Sequence, residues 1–282
     1  MKVEDVLKIF EKNKDFLLGE VYSKSNPVAC ILGGQPASGK GNLASIITKN
    51  IYTGEQFLIV NGDTYRNFHP DYQNLVKNPH IYSRETQIFS NVFTEELIKE
   101  AIRNKFNIII EGTMRNPQIP LNTSNLFKQN GFKVEALAIS APAIFTEIGI
   151  YIRYQEEVNK QKMGRLAEIS SHNSAVEGVP KSLDLLYSKN AVDRIHIYSM
   201  YANEKVKSLS FDGKKWNCSL PPSNFIKTSR EKQLLDKDLL QNLITKGKET
   251  FNSIRTDLKP NVAELLDKLS SISQKIDNSL KW

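Results

Sequence analysis

Pro27-Val28-Ala29-Cys30-Ile31-Leu32-Gly33-Gly34-Gln35-Pro36-Ala37-Ser38-Gly39-Lys40-Gly41-Asn42 is a short apolar run that opens into a glycine-rich loop, and residues 43–49 follow with helical spacing. Strand, loop and helix in that order make a phosphate cradle. Glycines let successive backbone N–H groups point at one anion, and the helix behind them brings the positive end of its dipole. Lys40 adds a mobile cation for the β- and γ-phosphates of a nucleoside triphosphate. The core of the motif is met by Gly34, Gly39 and Lys40, whereas Gly41 stands where a Ser or Thr hydroxyl normally reaches Mg²⁺. The pattern assigns Gly34, Gln35, Pro36, Ala37, Ser38, Gly39, Lys40, Gly41 and Asn42 to a nucleoside triphosphate and leaves open how Mg²⁺ is held.

Outward from the loop, three further apolar runs occupy 57–60, 107–110 and 134–140, with another strand expected near 194–198. Helix-like segments such as 85–103 and 120–129 separate them. Apolar runs of this kind suit strands buried on both faces, and their alternation with helices predicts an α/β fold: a P-loop kinase-like parallel sheet flanked by helices. In such sheets ligands gather at the carboxyl ends of the strands. The residues just past the runs are Asp63, then Glu111 with Thr113 and Arg115, so distant segments are expected to meet at one cleft.

Asp63 can take a proton from an acceptor hydroxyl lined up with the γ-phosphate, or hold Mg²⁺; the plain alternative is a turn residue or helix cap in Asn61-Gly62-Asp63. Glu111 closes a buried strand, where a carboxylate is either paired or functional. Arg153 and Arg165 lie in a polar stretch and carry guanidinium forks suited to charge spreading over a transferred phosphoryl group; the plain alternative is a solvated surface arginine.

The composition is that of an ordinary globular protein: 282 residues, 40% hydrophobic and 24% charged, net charge +7. Basic residues are scattered among acids with no dense run, which speaks for an anion-binding cleft rather than a nucleic-acid surface. Two cysteines make no disulfide framework. No stretch approaches the roughly 20 apolar residues that span a bilayer, and the first residues lack a secretion-signal pattern, so a cytoplasmic protein away from membranes is expected. Three sections follow: an N-terminal helix within 1–25 that starts at Val3, a kinase core over 26–220, and a helical extension over 221–282. The extension reads as about two helices split at Pro260, either covering the core or serving as an interaction appendage.

Gly33-Gly34-Gln35-Pro36-x-Ser38-Gly39-Lys40, Asn61-Gly62-Asp63-Thr64-Tyr65-Arg66 with His69-Pro70, Ile110-Glu111-Gly112-Thr113-x-Arg115, and Arg153-Tyr154 with Met163-x-Arg165 together resemble the zeta toxin family. Its members are kinases of bacterial epsilon/zeta toxin–antitoxin systems that phosphorylate the 3'-hydroxyl of UDP-N-acetylglucosamine. The resemblance implies ATP at the loop and Lys40, and Asp63 as the base. It assigns Glu95, Glu111, Thr113, Arg115 and Thr123 to the amino-sugar nucleotide, and Arg153 and Arg165 to the phosphates. It also implies a small helical antitoxin as partner and block of peptidoglycan synthesis as outcome. Ala37 stands in place of a frequent loop glycine, Gly41-Asn42 in place of small hydroxyl residues, and the spacing from Arg153 to Arg165 needs a one-residue gap. Two other functions fit the same residues: a kinase for another nucleotide or nucleotide sugar, and a nucleotide-binding regulatory module without catalysis. The helices at either end could cover the core or modulate activity in cis.

Overall fold

The apolar runs become the interior of one six-stranded sheet, seen in a computed structural model that describes residues 1–76, 79–161 and 164–279. In chain order the elements are α1 (Val3–Leu18), β1 (Val28–Gly33), α2 (Asn42–Ile46), β2 (Leu58–Asn61), α3 (Tyr72–Leu75) and α4 (Pro79–Asn104). Next come β3 (Ile108–Glu111), α5 (Gln118–Gln129), β4 (Lys133–Ser140), α6 (Ala143–Gln161), α7 (Ile169–Ser188) and β5 (Arg194–Ser199). The chain ends with β6 (Lys205–Ser210), α8 (Pro222–Leu234), α9 (Lys237–Ser253) and α10 (Lys259–Ser279). The strand order is β2-β3-β1-β4-β5-β6, parallel through β5, with β6 antiparallel at the edge.

β1 sits between β3 and β4, with Cys30 opposite both Ile109 and Glu135, so every residue of β1 is buried. Each strand residue of this kind must satisfy both faces, which is why the run carries no polar alternation. Ala29, Ile31, Val60, Ile108 and Ile110 pack under Phe10 of α1, Phe89 and Phe93 of α4, and Phe127 of α5. Cys30, Leu32, Ile109, Leu137 and Ile139 pack under Leu43 of α2, Phe145 of α6, Leu243 of α9 and Val262 of α10.

The helix expected over 43–49 begins as α2 and widens into a π-helical turn, Ile47–Ile51. Two regions differ from expectation. β6 reads Lys-Val-Lys-Ser-Leu-Ser; its alternation marks an edge strand with a wet face and not an apolar run. Among the described residues the C-terminal extension holds three α-helices rather than about two. Asp236 caps α9 by accepting from the Leu239 N–H at 3.0 Å, and Pro260 lies in the first turn of α10, a place that tolerates proline, so it starts a helix instead of separating two. These helices cover the sheet: a Cβ on Gly247 of α9 would lie 2.7 Å from Ile148 of α6 and 2.8 Å from Leu266 of α10. α1 likewise packs on α4, through Phe10 edge-on to Phe93. Both ends of the chain are therefore core-covering helices.

Candidate active site

The loop after β1 closes by short backbone bonds, with the Ser38 N–H on the Gln35 carbonyl (3.2 Å) and the Asn42 N–H on the Gly39 carbonyl (3.0 Å). Ala37 and Gly39 take positive φ, 61° and 83°. Ala37 adopts the conformation that a glycine would hold more easily, at a cost of about 1 kcal/mol. At Gly39 no side chain fits, because a Cβ would lie 2.5 Å from the Tyr201 Cα. The turn after β5 buttresses the loop: the Tyr201 N–H donates to the Ser38 carbonyl at 2.8 Å, and Asn42 Nδ2 donates to the Tyr201 carbonyl at 2.8 Å.

Two of the loop side chains assigned to ATP are thus occupied within the protein. Asn42 holds Tyr201. Gln35, 1% exposed, gives its amide to the Ala141 carbonyl and Thr146 Oγ1 at 2.9 and 3.1 Å. What they offer a nucleotide is backbone. Ser38 differs: it is 1% exposed and its Oγ has no hydrogen-bond partner among the described residues. A buried hydroxyl left unmatched in this loop fits a polar ligand there, because leaving it unpaired costs roughly 1–3 kcal/mol.

The loop forms one wall of a cleft of about 1190 Å³. The carboxyl ends of β2 and β3 form the next. Asn61 joins them, its side chain accepting the Asp63 N–H (3.1 Å) and donating to Glu111 Oε2 (3.2 Å). Asp63 is half-exposed, and two guanidiniums hold it: Arg66 Nε to Oδ1 at 3.2 Å and Arg165 Nη1 to Oδ2 at 2.7 Å. Burial pushes the Asp63 carboxyl up, but Arg165 and then Arg66 outweigh it and keep it below the usual carboxylate value. At Glu111 burial dominates and raises the pKa, opposed by Lys40 and reinforced by the Asp63 charge. Burial lowers Lys40, against the pull of Glu111 and Asp63. Asp63 is therefore the firmly ionised member of the carboxylate pair.

Arg153, on α6, faces the same cleft and pairs with Glu157 at 3.5 Å; its buried Nε makes no hydrogen bond. Glu157 also accepts the Arg165 N–H at 2.8 Å, tying together the two arginines expected to act as a pair. Met163 lies outside the described residues. Thr113, Arg115 and Thr123 line the cleft, with Arg115 Nη1 on Ser171 Oγ at 3.0 Å and Thr123 Oγ1 on the Ile119 carbonyl at 2.9 Å. Gly178 of α7 lets the 112–116 loop come close, since a Cβ there would lie 2.4 Å from the Arg115 carbonyl oxygen.

Glu95 is not brought to the cleft. α4 presents Ser83, Gln87 and Ser90 to it, and Glu95 is exposed outside that stripe. Sequence reasoning missed Arg66 as an anchor. It is 5% exposed, gives Nη1 to the Ser83 carbonyl and Thr86 Oγ1 and Nη2 to Gln87, and so fixes Asp63 against α4. Its spacing three residues after Asp63 was the available signal. Glu156, Ser171, Tyr201 and Lys246 are further cleft residues without a sequence motif.

Among the described residues no group of three or more His, Cys, Asp or Glu is placed to hold a metal. Mg²⁺ that arrives with a nucleotide keeps water and phosphate oxygens as most of its ligands and needs one or two carboxylates. Glu111 and Asp63, at and just past their strand ends in the cleft, could supply them. Gly41 supplies nothing, although a Cβ there would meet no atom within 4 Å.

A mostly parallel sheet with a glycine-rich loop after its central strand, a lysine in that loop and acids at the next strand ends defines a P-loop kinase-like fold. The sequence model of the family described as Zeta toxin matches residues 16–213, and the chain belongs to that family. It is 27% identical over 210 residues to Toxin zeta of Streptococcus agalactiae, covering 71% of each chain. With Toxin zeta of Streptococcus pyogenes it shares 26% over 274 residues, 94% of this chain and 88% of that one. Its fold matches a chain from the PezAT chromosomal toxin–antitoxin system of Streptococcus pneumoniae with TM-score 0.73 at 22% identity, covering 89% of this chain and 98% of the other. Among the described residues no helix is long and apolar enough to cross a membrane.

Proposed function

We propose that this chain is a toxin kinase that moves the γ-phosphate of ATP onto the 3'-hydroxyl of UDP-N-acetylglucosamine and is restrained by a small helical antitoxin. The observation that carries the reading is the meeting of Lys40, Asp63, Glu111, Arg153 and Arg165 in one cleft. Seven basic side chains and four acidic ones line that cleft among the described residues, a balance suited to two ligands that each carry phosphates.

Backbone N–H groups of the loop and Lys40 hold the β- and γ-phosphates. Asp63 orients the acceptor hydroxyl and takes its proton. A carboxylate of low pKa is a weak base, which suffices where bonding to the attacking oxygen lags behind cleavage of the leaving group. Arg165 touches the base now, and with Arg153 it is positioned to stabilise charge on the moving phosphoryl oxygens. Mg²⁺, held through Glu111 or Asp63, would neutralise charge on the β- and γ-oxygens. Thr113, Arg115 and Thr123 receive the nucleotide sugar. The relatives named Toxin zeta and the PezAT structure support the toxin–antitoxin part of the reading.

Purified protein incubated with ATP, Mg²⁺ and UDP-N-acetylglucosamine should give a nucleotide sugar heavier by one phosphoryl group, and Asp63→Ala should give none. No product with this acceptor but product with another nucleotide sugar would replace the substrate and keep the kinase. Gly41 favours a second reading, a nucleotide-binding module without catalysis. That reading predicts ATP binding with no product from any acceptor.

A further inference from the structure

Two cations near the phosphate loop come from the C-terminal helices, beyond the residues that the family model matches. Arg230 of α8 lies behind the loop. Its Nη2 donates to the Val176 carbonyl at 3.0 Å and reaches Gln35 Oε1 at 3.4 Å, while its buried Nε has no partner. Among the described residues no carboxylate pairs with it, and burial lowers its pKa. Gln35 is gripped at its other end by the Ala141 carbonyl and Thr146 Oγ1, and Thr146 in turn lies 2.8 Å from His172 Nε2. The loop residue after Gly34 is thus fixed by a polar set whose one permanent charge is a half-buried guanidinium with no carboxylate partner among the described residues. Such a charge is costly unless an anion comes near, and the guanidinium reaches the loop through Gln35.

Lys246 of α9 lines the cleft directly. Its neighbour Gly247 packs against Ile148 of α6, and the next residue of α6, Gly149, faces the loop, where a Cβ would lie 3.0 Å from the Ala37 Cβ. Lys246 thus shares one cleft lining with the phosphate loop and with Gly149, Ile152 and Arg153 of α6. The side chain is exposed and makes no hydrogen bond or ion pair among the described residues. An ammonium on a flexible stem is suited to phosphate oxygens as a point charge.

We propose that the C-terminal helices build the nucleotide half of the cleft: Lys246 contacts the polyphosphate of ATP, and Arg230 is a positioning residue that acts through Gln35 to hold the loop in its anion-binding shape. The proposal rests on the reading that this cleft binds ATP. Full-length protein is titrated with ATP and, separately, with AMP at fixed salt, with Tm measured on every variant. Lys246→Ala should weaken ATP binding roughly fivefold, Lys246→Glu more, and Lys246→Arg less than twofold, with AMP affected less than twofold throughout. Arg230→Met should weaken ATP severalfold at an equal or higher Tm, since an apolar side chain replaces an unpaired half-buried charge; Arg230→Lys should recover part of the affinity.

Lys246 variants that bind ATP like wild type, or lose ATP and AMP equally, overturn the contact. An Arg230→Met protein whose Tm falls along with its affinity, with no recovery in Arg230→Lys, overturns the positioning role. Wild-type protein that binds no ATP overturns the parent reading together with this one, whereas wild-type binding with indifferent variants overturns this one alone.

Discussion

The two ends of the sheet each hold a carboxylate beside basic groups, and they use it in opposite ways. At the amino end Glu135 of β4 is 0% exposed and fully matched: Tyr52 Oη donates at 2.6 Å, Lys133 Nζ at 2.8 Å, His196 Nε2 lies at 3.3 Å and Arg194 Nη1 at 3.7 Å. Burial would raise it, but hydrogen bonds from His196, Lys133 and Tyr52 prevail and hold it at about 2. At the carboxyl end Asp63 is half-exposed on a wide cleft, and the groups around it are incompletely matched. Of the buried side-chain atoms without a partner among the described residues, Ser38 Oγ and Arg153 Nε belong to cleft residues and Arg230 Nε lies behind the loop. A saturated cluster stabilises a fold, whereas an unsaturated one beside open volume awaits a ligand.

The contrast breaks most sharply on exchange of the two carboxylates. Asp63→Ala should lower turnover by two to four orders of magnitude, roughly the worth of a general base, with Tm within a few degrees of wild type. Glu135→Gln should do the reverse, costing on the order of 3 kcal/mol and several degrees of Tm while the folded fraction keeps its activity. The same cluster sets an acid limit. Since the folded pKa of Glu135 is depressed, its stabilisation is complete above the usual 4.5 and is lost as pH falls towards about 2. Acid unfolding followed by circular dichroism should lose that phase in Glu135→Gln.

At the cleft, Arg165→Ala removes the main cation that lowers Asp63, so the acid limb of kcat/KM should move to higher pH. An unmoved limb in Arg165→Ala would leave the pairing without a role in the chemistry. The smallest effect is expected at Gly41. Gly41→Ser places a hydroxyl in open space and should lower the Mg²⁺ concentration for half-maximal rate by a few-fold, with no change in Tm.

The sequence made legible what rests on local pattern. β1, β3 and β4 are apolar because both faces are covered, and the acids that follow β2 and β3 reach one cleft because parallel strands end on the same side. What depends on distant packing was hidden. Gln35 meets Arg230 across 195 residues of chain, and no motif marks that contact. Glu95 fails by helical phase: Thr94 is the residue near Gly62, and one further position along α4 turns the side chain about 100° away. β6 and the Pro180-containing α7 lack the apolar run or the strong helix formers that signal an element locally.

Phosphorus NMR of ATP, Mg²⁺ and UDP-N-acetylglucosamine with the wild-type chain and with Asp63→Ala under identical conditions tests the central claim most directly. The account predicts loss of the γ-resonance of ATP with growth of a new phosphomonoester signal for wild type alone. ATP left intact by wild-type protein that binds it, or the same new signal from Asp63→Ala, would contradict the assignment of phosphoryl transfer to this cleft.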